Sequence, residues 1–292
     1  MSTATPSRSG IDPLDKAPEP EIRRSRLWIA ELYRSAVGKK YVMALTGIAG
    51  LIFIVIHAVG NLHVYEGALE LSEYGEALRA IGGSLVPRTV LLWVGRIGLI
   101  AALVLHVHAA YVLTWRNRRM RPVKYGSARH YIAADYASRT MIWTGTLLLA
   151  FILFHLADLT WGFANPEFVR GAVTNNLVGS LSRWWTSIFY IVSMLALGLH
   201  IYHGTWSLFQ SLGLNNKRFN AWRRHLAVGL TVLVVGINLT FPLGTLFGVI
   251  DCDEQCEDVT EAFESGEGLE ALEAEGAAEG AAAAGATAES AE

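Results

Sequence analysis

The sequence predicts an all-α protein that crosses a membrane five times. Of its 292 residues, 52% are hydrophobic and 17% are charged, whereas soluble domains carry about 25% charged residues. The charged residues are absent from five long, largely apolar stretches, and a helix needs about 20 such residues to cross a bilayer. In lipid, a helix pairs its backbone groups within one segment. This pattern excludes a soluble enzyme, a nucleic-acid-binding protein and a secreted disulfide scaffold.

Charged residues delimit the five predicted spans in chain order. Helices are expected at residues 41–65, 88–115, 139–162, 184–212 and 224–250. The charge-free stretches within them lie between Lys40 and Glu66, Arg96 and Arg116, Arg139 and Asp158, Arg183 and Lys217, and Arg224 and Asp251, so that Arg96 and Asp158 lie inside their spans. Each span is long enough for a helix that rises about 1.5 Å per residue to cross the hydrocarbon core.

The basic residues predict the orientation of the spans. Residues 1–40, 116–139 and 213–224 hold 19 of the 24 Lys and Arg residues, and short basic loops stay in the cytoplasm. The N-terminus is therefore predicted to be cytoplasmic and the C-terminus external. We call these two sides of the membrane the inner and the outer side.

Composition divides the chain into three regions. Residues 1–37 are predicted to be a cytoplasmic tail with an interfacial segment, and residues 38–250 to be the membrane domain. Residues 251–292 contain 14 acidic residues and no Lys or Arg. Their richness in Ala, Gly and Glu predicts a disordered external tail.

Four histidines inside the spans fall at two depths. His57 and His155 lie 17 and 16 residues beyond the inner ends of their helices, and His106 and His200 lie 18 and 16 residues from the outer ends of theirs. Each depth therefore receives one histidine from each of two antiparallel helices. Two such pairs are the expected axial ligands of two b-type haems in a four-helix bundle, with the fifth helix outside the ligand set. Histidines that relay protons in a haem-free transporter would instead be expected at scattered depths.

Other residues in the spans support this interpretation but leave alternatives open. His203 shares the helix face of His200, so geometry does not choose between them. Arg96 needs an anion, which is either a haem propionate or a carboxylate such as Asp158. Small residues leave room for a porphyrin or for close helix packing: Gly47, Gly50, Gly95, Gly98, Gly145 and Gly198.

Three sequence stretches resemble a known family. They are TGIAGLIFIVIHAVGNL at 46–62, ASRTMIWTG at 137–145 and ALGLHIYHGTWSLFQSLGLN at 196–215. They resemble the single-chain, five-helix cytochrome b subunit of succinate dehydrogenases and fumarate reductases, over about residues 38–250. The resemblance implies two haems b, with axial ligands His57 and His155 for one and His106 and His200 for the other.

The resemblance also implies a place in a larger enzyme. The chain would anchor a flavoprotein subunit, which holds the succinate site, and an iron–sulfur subunit on the inner side of a bacterial cytoplasmic membrane. It would meet membrane lipid and a quinone, expected to be menaquinone, and no nucleic acid. The chain itself has no catalytic residue for succinate, because it lacks a dinucleotide-binding glycine fingerprint. The alternative is a di-haem anchor of another quinone-linked dehydrogenase.

The quinone site is predicted on the outer side. A quinone carbonyl needs a hydrogen-bond donor and a group that exchanges protons. Glu66 and His63 lie at the outer end of the first span, and Asp158 follows His155 by three residues. In the alternative interpretation, Glu66 is solvated, Asp158 pairs with Arg96, and the quinone binds on the inner side.

Two further surfaces have two interpretations each. Cys252 and Cys256 at the outer end of the fifth span either form a disulfide or join His57 and His155 as ligands of a [2Fe-2S] centre that replaces the outer haem. The basic inner segments at 116–124 and 217–224 either dock the iron–sulfur subunit or meet anionic lipid headgroups.

Overall fold

The computed structural model describes residues 28–120, 136–214, 216–266 and 268. Within these ranges the chain is helical and contains no strand. The helices are α1 (Trp28–Arg34), α2 (Ala36–Asn61), α3 (Ala68–Arg79), α4 (Val90–Arg119), α5 (Tyr136–Leu159), α6 (Val173–Leu181), α7 (Trp184–Ser211), α8 (Lys217–Leu246) and α9 (Glu254–Ser265), with a 3-10 turn at Leu62–Tyr65 after α2.

Five of these helices are long and apolar enough to span a membrane. They are α2, α4, α5, α7 and α8, which confirms the prediction of an all-α, multi-pass membrane protein. The helices extend past several predicted ends. α8 begins at Lys217, seven residues before the predicted span, because a helix need not stop where the apolar stretch does.

The membrane helices pack mainly in sequential pairs. α2 packs against α4, α5 against α7, and α7 against α8. The core lies along α7, where Tyr190, Met194 and Leu197 are buried against Phe151 of α5 and Val234 of α8. α4 lies at the edge of the bundle, and many of its apolar side chains are exposed. This exposure is expected for a helix with one face in contact with lipid.

Three helices outside the spans form a cap on the predicted outer side. α3 contacts α6, and both contact α9. The side chain of Asp253 accepts a hydrogen bond from the backbone of Cys256 and so caps the start of α9. Gly266 ends α9 in the left-handed conformation, with φ of 83°. The apolar face of α9 buries Cys256 and Val259 against α3.

The cap corrects the predicted extent of the disordered tail. The expectation of disorder from residue 251 onward is wrong for residues 254–265, because these residues form the packed helix α9. Acidic composition alone does not reveal this, since the few apolar residues are spaced to share one helix face. Residues 1–27 and 269–292 lie outside the described ranges.

A short helix packs on the inner side of the bundle. α1 contacts the start of α2, and the hydroxyl of Tyr33 hydrogen-bonds Nδ1 of His108 on α4. The ammonium of Lys39 donates to the backbone oxygen of Tyr33 at 2.7 Å. His108 is exposed and bonded to α1, so it is not directed into the bundle with His106.

Candidate functional site

The inner histidine pair joins α4 and α7. The ring centroids of His106 and His200 are 6.3 Å apart, with an interplanar angle of 54°. Both rings are only partly buried, although they lie well inside their spans. The structure therefore brings together the two histidines that were assigned to the inner depth.

The outer histidine pair joins α2 and α5. The ring centroids of His57 and His155 are 6.0 Å apart, and the rings are nearly perpendicular, at 84°. Phe53 stacks on His57, and Nδ2 of Asn61 lies 3.3 Å from Nε2 of His57. The two pairs are thus the ones that the depth calculation grouped.

The separations are compatible with a metal between the rings. A metal–imidazole bond is about 2 Å long, so two axial nitrogens on one metal lie about 4 Å apart. The measured separations between ring centroids are larger than this nitrogen–nitrogen distance. This is expected, because the centre of each imidazole ring lies farther from the metal than the nitrogen that binds it. At His57 a metal on Nε2 would replace the contact with Asn61. The residues present therefore fit bis-histidine haem ligation at both depths.

Each histidine of the inner pair contacts a threonine hydroxyl on the neighbouring helix. Oγ1 of Thr46 lies 3.1 Å from Nδ1 of His106, and Oγ1 of Thr144 lies 3.3 Å from Nδ1 of His200. The glycine after each threonine faces the same ring: a Cβ on Gly47 would lie 3.5 Å from His106, and one on Gly145 would lie 3.3 Å from His200.

A buried ion pair lies beside the outer histidines. Asp158 is completely buried and accepts a hydrogen bond at 2.7 Å from Arg183. The hydroxyls of Ser180 and Tyr190 also donate to it. The Tyr190 hydroxyl lies 3.2 Å from Nδ1 of His155. The interpretation that Asp158 pairs with Arg96 is therefore wrong, because Arg183 on the loop before α7 reaches it instead.

Arg96 lies near three other arginines on the outer side, two of which, Arg79 and Arg88, are paired with Glu76. It is exposed, and its guanidinium lies 5.1 Å from the ring centroid of Trp93. Partial burial and the neighbouring guanidinium groups of Arg88, Arg96 and Arg170 lower the pKa of Arg79 from its ordinary value. The exposed guanidinium of Arg96 could bind an anion such as a propionate.

The other four glycines that were predicted to leave room for a porphyrin divide into two groups. Gly50, Gly95 and Gly98 face open space, so a side chain there would meet nothing within 4 Å. A Cβ on Gly198 would instead lie 3.0 Å from Val235 of α8. Gly198 therefore serves close packing of α7 on α8, which is the alternative role considered for these residues.

The predicted quinone residues do not form one cluster. Nδ1 of His63 lies 2.5 Å from the carboxylate of Glu66, and His63 stacks on Tyr74 at 4.9 Å. The Glu66 side chain is 60% exposed. Asp158 is enclosed by its own partners, so it is not an open proton-exchanging group. The structure thus leaves Glu66 and His63 as the accessible pair.

Cys252 and Cys256 form a disulfide. Their sulfur atoms are bonded to each other and are not available as thiolate ligands. No group of three or more His, Cys, Asp and Glu side chains suited to a metal ion occurs among the described residues. The disulfide interpretation therefore replaces the [2Fe-2S] alternative.

The basic inner segments are only partly described. Arg118 and Arg119 at the end of α4 are exposed, as is Arg224 on α8. Arg223 is 1% exposed and lies against the ring of Trp206 at 4.5 Å, so it does not belong to the docking surface. Residues 121–135 and the side chains of residues 217–219 lie outside the description.

Comparison with known proteins gives one family match, which covers part of the chain. Residues 116–239 match the succinate dehydrogenase/fumarate reductase transmembrane subunit family. The matched segment contains His155 and His200, whereas His57 and His106 precede it. No curated protein and no solved structure gave a significant match. Over these residues the chain is similar to the transmembrane subunits of succinate dehydrogenases and fumarate reductases, which are membrane parts of an enzyme complex.

Proposed function

We propose that this chain is the cytochrome b membrane anchor of a succinate:quinone oxidoreductase in a bacterial cytoplasmic membrane. It passes electrons between an iron–sulfur subunit and membrane quinone through two b haems. One observation carries the proposal: the structure contains two pairs of histidines, and the two members of each pair come from different helices. The ring centroids are 6.0 Å apart in the outer pair and 6.3 Å apart in the inner pair. The family match over residues 116–239 supports the assignment to this enzyme.

The protein's part in this function is to hold and insulate the redox groups. Haem b, when bound, supplies a one-electron iron couple at each depth. His57 and His155 hold the outer group, and His106 and His200 hold the inner one. A neutral imidazole carries no charge, so these four side chains avoid the free-energy cost of a charged group inside the membrane. Arg96 is the proposed partner of a propionate on the outer side.

Docking of the soluble subunits is proposed on the inner side. The exposed residues Arg118, Arg119 and Arg224 lie at the inner ends of α4 and α8, the helix ends on the side nearer His106 and His200. Positive charge at this surface attracts an acidic partner or anionic lipid. The family implies that the partner is the iron–sulfur subunit, which itself binds the flavoprotein subunit.

Purification of the whole complex tests the proposed function. We expect the tagged chain to be isolated with a flavoprotein and an iron–sulfur protein. Its reduced-minus-oxidised spectrum should show two low-spin b haems per chain, and cross-links from Lys217 should reach the iron–sulfur protein. A purified chain without haem, or one isolated with a different dehydrogenase, would contradict the proposal.

Glu66→Gln should lower quinone-linked turnover by ten-fold or more and leave the haem content unchanged. The amide keeps the size of the side chain but cannot exchange a proton with His63. The measurement compares succinate:quinone turnover with succinate oxidation by an artificial acceptor that bypasses the membrane domain. Glu73→Gln, an exposed acid on α3, is the matched control. Unchanged quinone turnover in Glu66→Gln would place the quinone site on the inner side.

A further inference from the structure

We propose that Thr46 and Thr144 are positioning residues for the inner histidine pair. Each hydroxyl fixes the tautomer of the histidine on the neighbouring helix, so that Nε2 is the nitrogen available to a metal. The inference rests on the proposed haem-binding function and adds two residues to it. It also predicts that these two hydroxyls affect the redox potential of the inner haem.

The direction of each hydrogen bond follows from the other partner of the hydroxyl. Oγ1 of Thr46 lies 2.7 Å from the backbone oxygen of Val42 and 3.3 Å from that of Met43, and a carbonyl can only accept. A hydroxyl has one proton to donate. The Thr46 oxygen must therefore accept at its remaining contact, which is Nδ1 of His106 at 3.1 Å. The backbone oxygen of Met43 is a further acceptor for the ring of His106. Nδ1 carries the proton, and Nε2 keeps its lone pair for a metal.

The second threonine repeats this arrangement on the other helix pair. Oγ1 of Thr144 lies 3.2 Å from the backbone oxygen of Thr140 and 3.1 Å from that of Met141. Its contact with Nδ1 of His200, at 3.3 Å, must also be one in which the threonine oxygen accepts. Both inner histidines thus receive the same constraint from separate helices.

A sequence repeat accompanies the repeated geometry. Thr46 and Gly47 precede His57, and Thr144 and Gly145 precede His155, with 11 residues from threonine to histidine in both cases. Eleven residues make about three helical turns, so both residues lie on one helix face. α2 and α5 therefore each present a histidine to the outer pair and a threonine to the inner pair.

The ordinary role of a threonine inside a helix does not account for these contacts. Such a hydroxyl commonly bonds the backbone oxygen one turn earlier. Thr146 does this with Ile142 at 2.7 Å, and its other contact is Tyr111 rather than a histidine. Thr46 and Thr144 make the same backbone bond and also contact a histidine. The following glycine leaves the space in which that ring lies.

The hydrogen bond has a measurable consequence for the inner site. Accepting from Nδ1–H makes Nε2 a more basic ligand and fixes the ring orientation, and loss of such an interaction weakens metal affinity by roughly 10–100-fold. A more basic ligand favours ferric over ferrous iron. Removing the hydroxyl should therefore raise the midpoint potential of the inner haem and weaken its retention.

Thr46→Val and Thr144→Val in the complete complex test the inference. Each should raise the midpoint potential of the inner haem in a redox titration, change its low-spin EPR signal, and weaken its retention during detergent extraction about ten-fold. The outer haem should be unchanged. Thr→Ser at either position should restore wild-type values, and Thr146→Val is the matched control.

The outcomes separate this inference from the proposed function. Two bound haems with an unaltered inner potential and EPR signal in both valine variants would overturn the positioning role and leave the haem function intact. Wild-type complex without haem would overturn both. If a valine variant does not accumulate, Thr→Ala removes the same hydroxyl with less bulk. If the Ala variant shows the same inner-haem potential, EPR signal and retention as the Ser variant, the role of the hydroxyl is again overturned.

Discussion

Replacing His106 or His200 with alanine should remove the inner b haem and leave the outer one in place. The same substitution at His57 or His155 should do the reverse. In the proposed function each haem would be held by two histidines from different helices, and the two pairs share no histidine. The measurement is haem per chain together with a redox titration, which should fall from two components to one.

His108→Ala is the matched control for the histidine variants. His108 lies two residues from His106 on α4, but it is exposed and bonded to Tyr33 of α1. We therefore expect His108→Ala to keep both haems. Loss of both haems in every single variant, with the complex still folded, would contradict two independent sites. Retention of both in His200→Ala would direct attention to His203.

Arg183→Gln should destabilise the membrane domain by about 3–5 kcal/mol, the usual cost of removing one member of a buried ion pair. Asp158 is completely buried, and Arg183 is 2.7 Å from it. Without Arg183 the carboxylate keeps only neutral donors, Ser180 and Tyr190. Thermal unfolding of the detergent-solubilised complex, followed by loss of helical signal, measures the effect.

A double variant separates charge burial from packing. Asp158→Asn together with Arg183→Gln removes both charges and should recover much of the stability lost in the single variant, because no unpaired charge remains. Arg170→Gln on the same side of the membrane serves as control for simple loss of an arginine. Stability of Arg183→Gln equal to that of the wild type would show that Arg183 does not stabilise Asp158.

This ion pair also affects how the quinone site can be tested. Asp158 is linked through Tyr190 to Nδ1 of His155. Asp158→Asn would therefore disturb the fold and the outer histidine together, and a loss of turnover would not identify a quinone ligand. Glu66 is exposed at the end of α2 and contacts His63, so its substitution gives the clearer result.

The five spans and the histidine depths were predictable because they depend only on single helices: on the length of each apolar stretch and on the constant rise per residue. A charge-free stretch of sufficient length is apolar wherever it packs. Counting residues from a charged end gives depth directly, since each residue advances a helix by a constant rise. Hence His57 could be grouped with His155 and His106 with His200, and the structure brings both pairs together.

Several residues could not be assigned by counting, because their partners come from distant parts of the chain. Charge alone allows Asp158 to pair with Arg96 or with Arg183, and the loop before α7 places Arg183 in contact with it. Gly198 and Gly145 are both glycines inside predicted spans, and the sequence does not distinguish their roles. In the structure Gly198 packs on Val235, whereas Gly145 faces His200. The acidic segment after Asp251 is helical because α3 and α6 cover its apolar face.

The number of spans and the depth of each histidine within its span follow from the amino-acid sequence, because hydrophobicity and helical rise are properties of single segments. The threonine partners of His106 and His200, the arginine partner of Asp158 and the cap formed by α9 depend on how segments pack. These contacts join residues between 25 and 187 positions apart, and local sequence patterns do not determine which helices become neighbours.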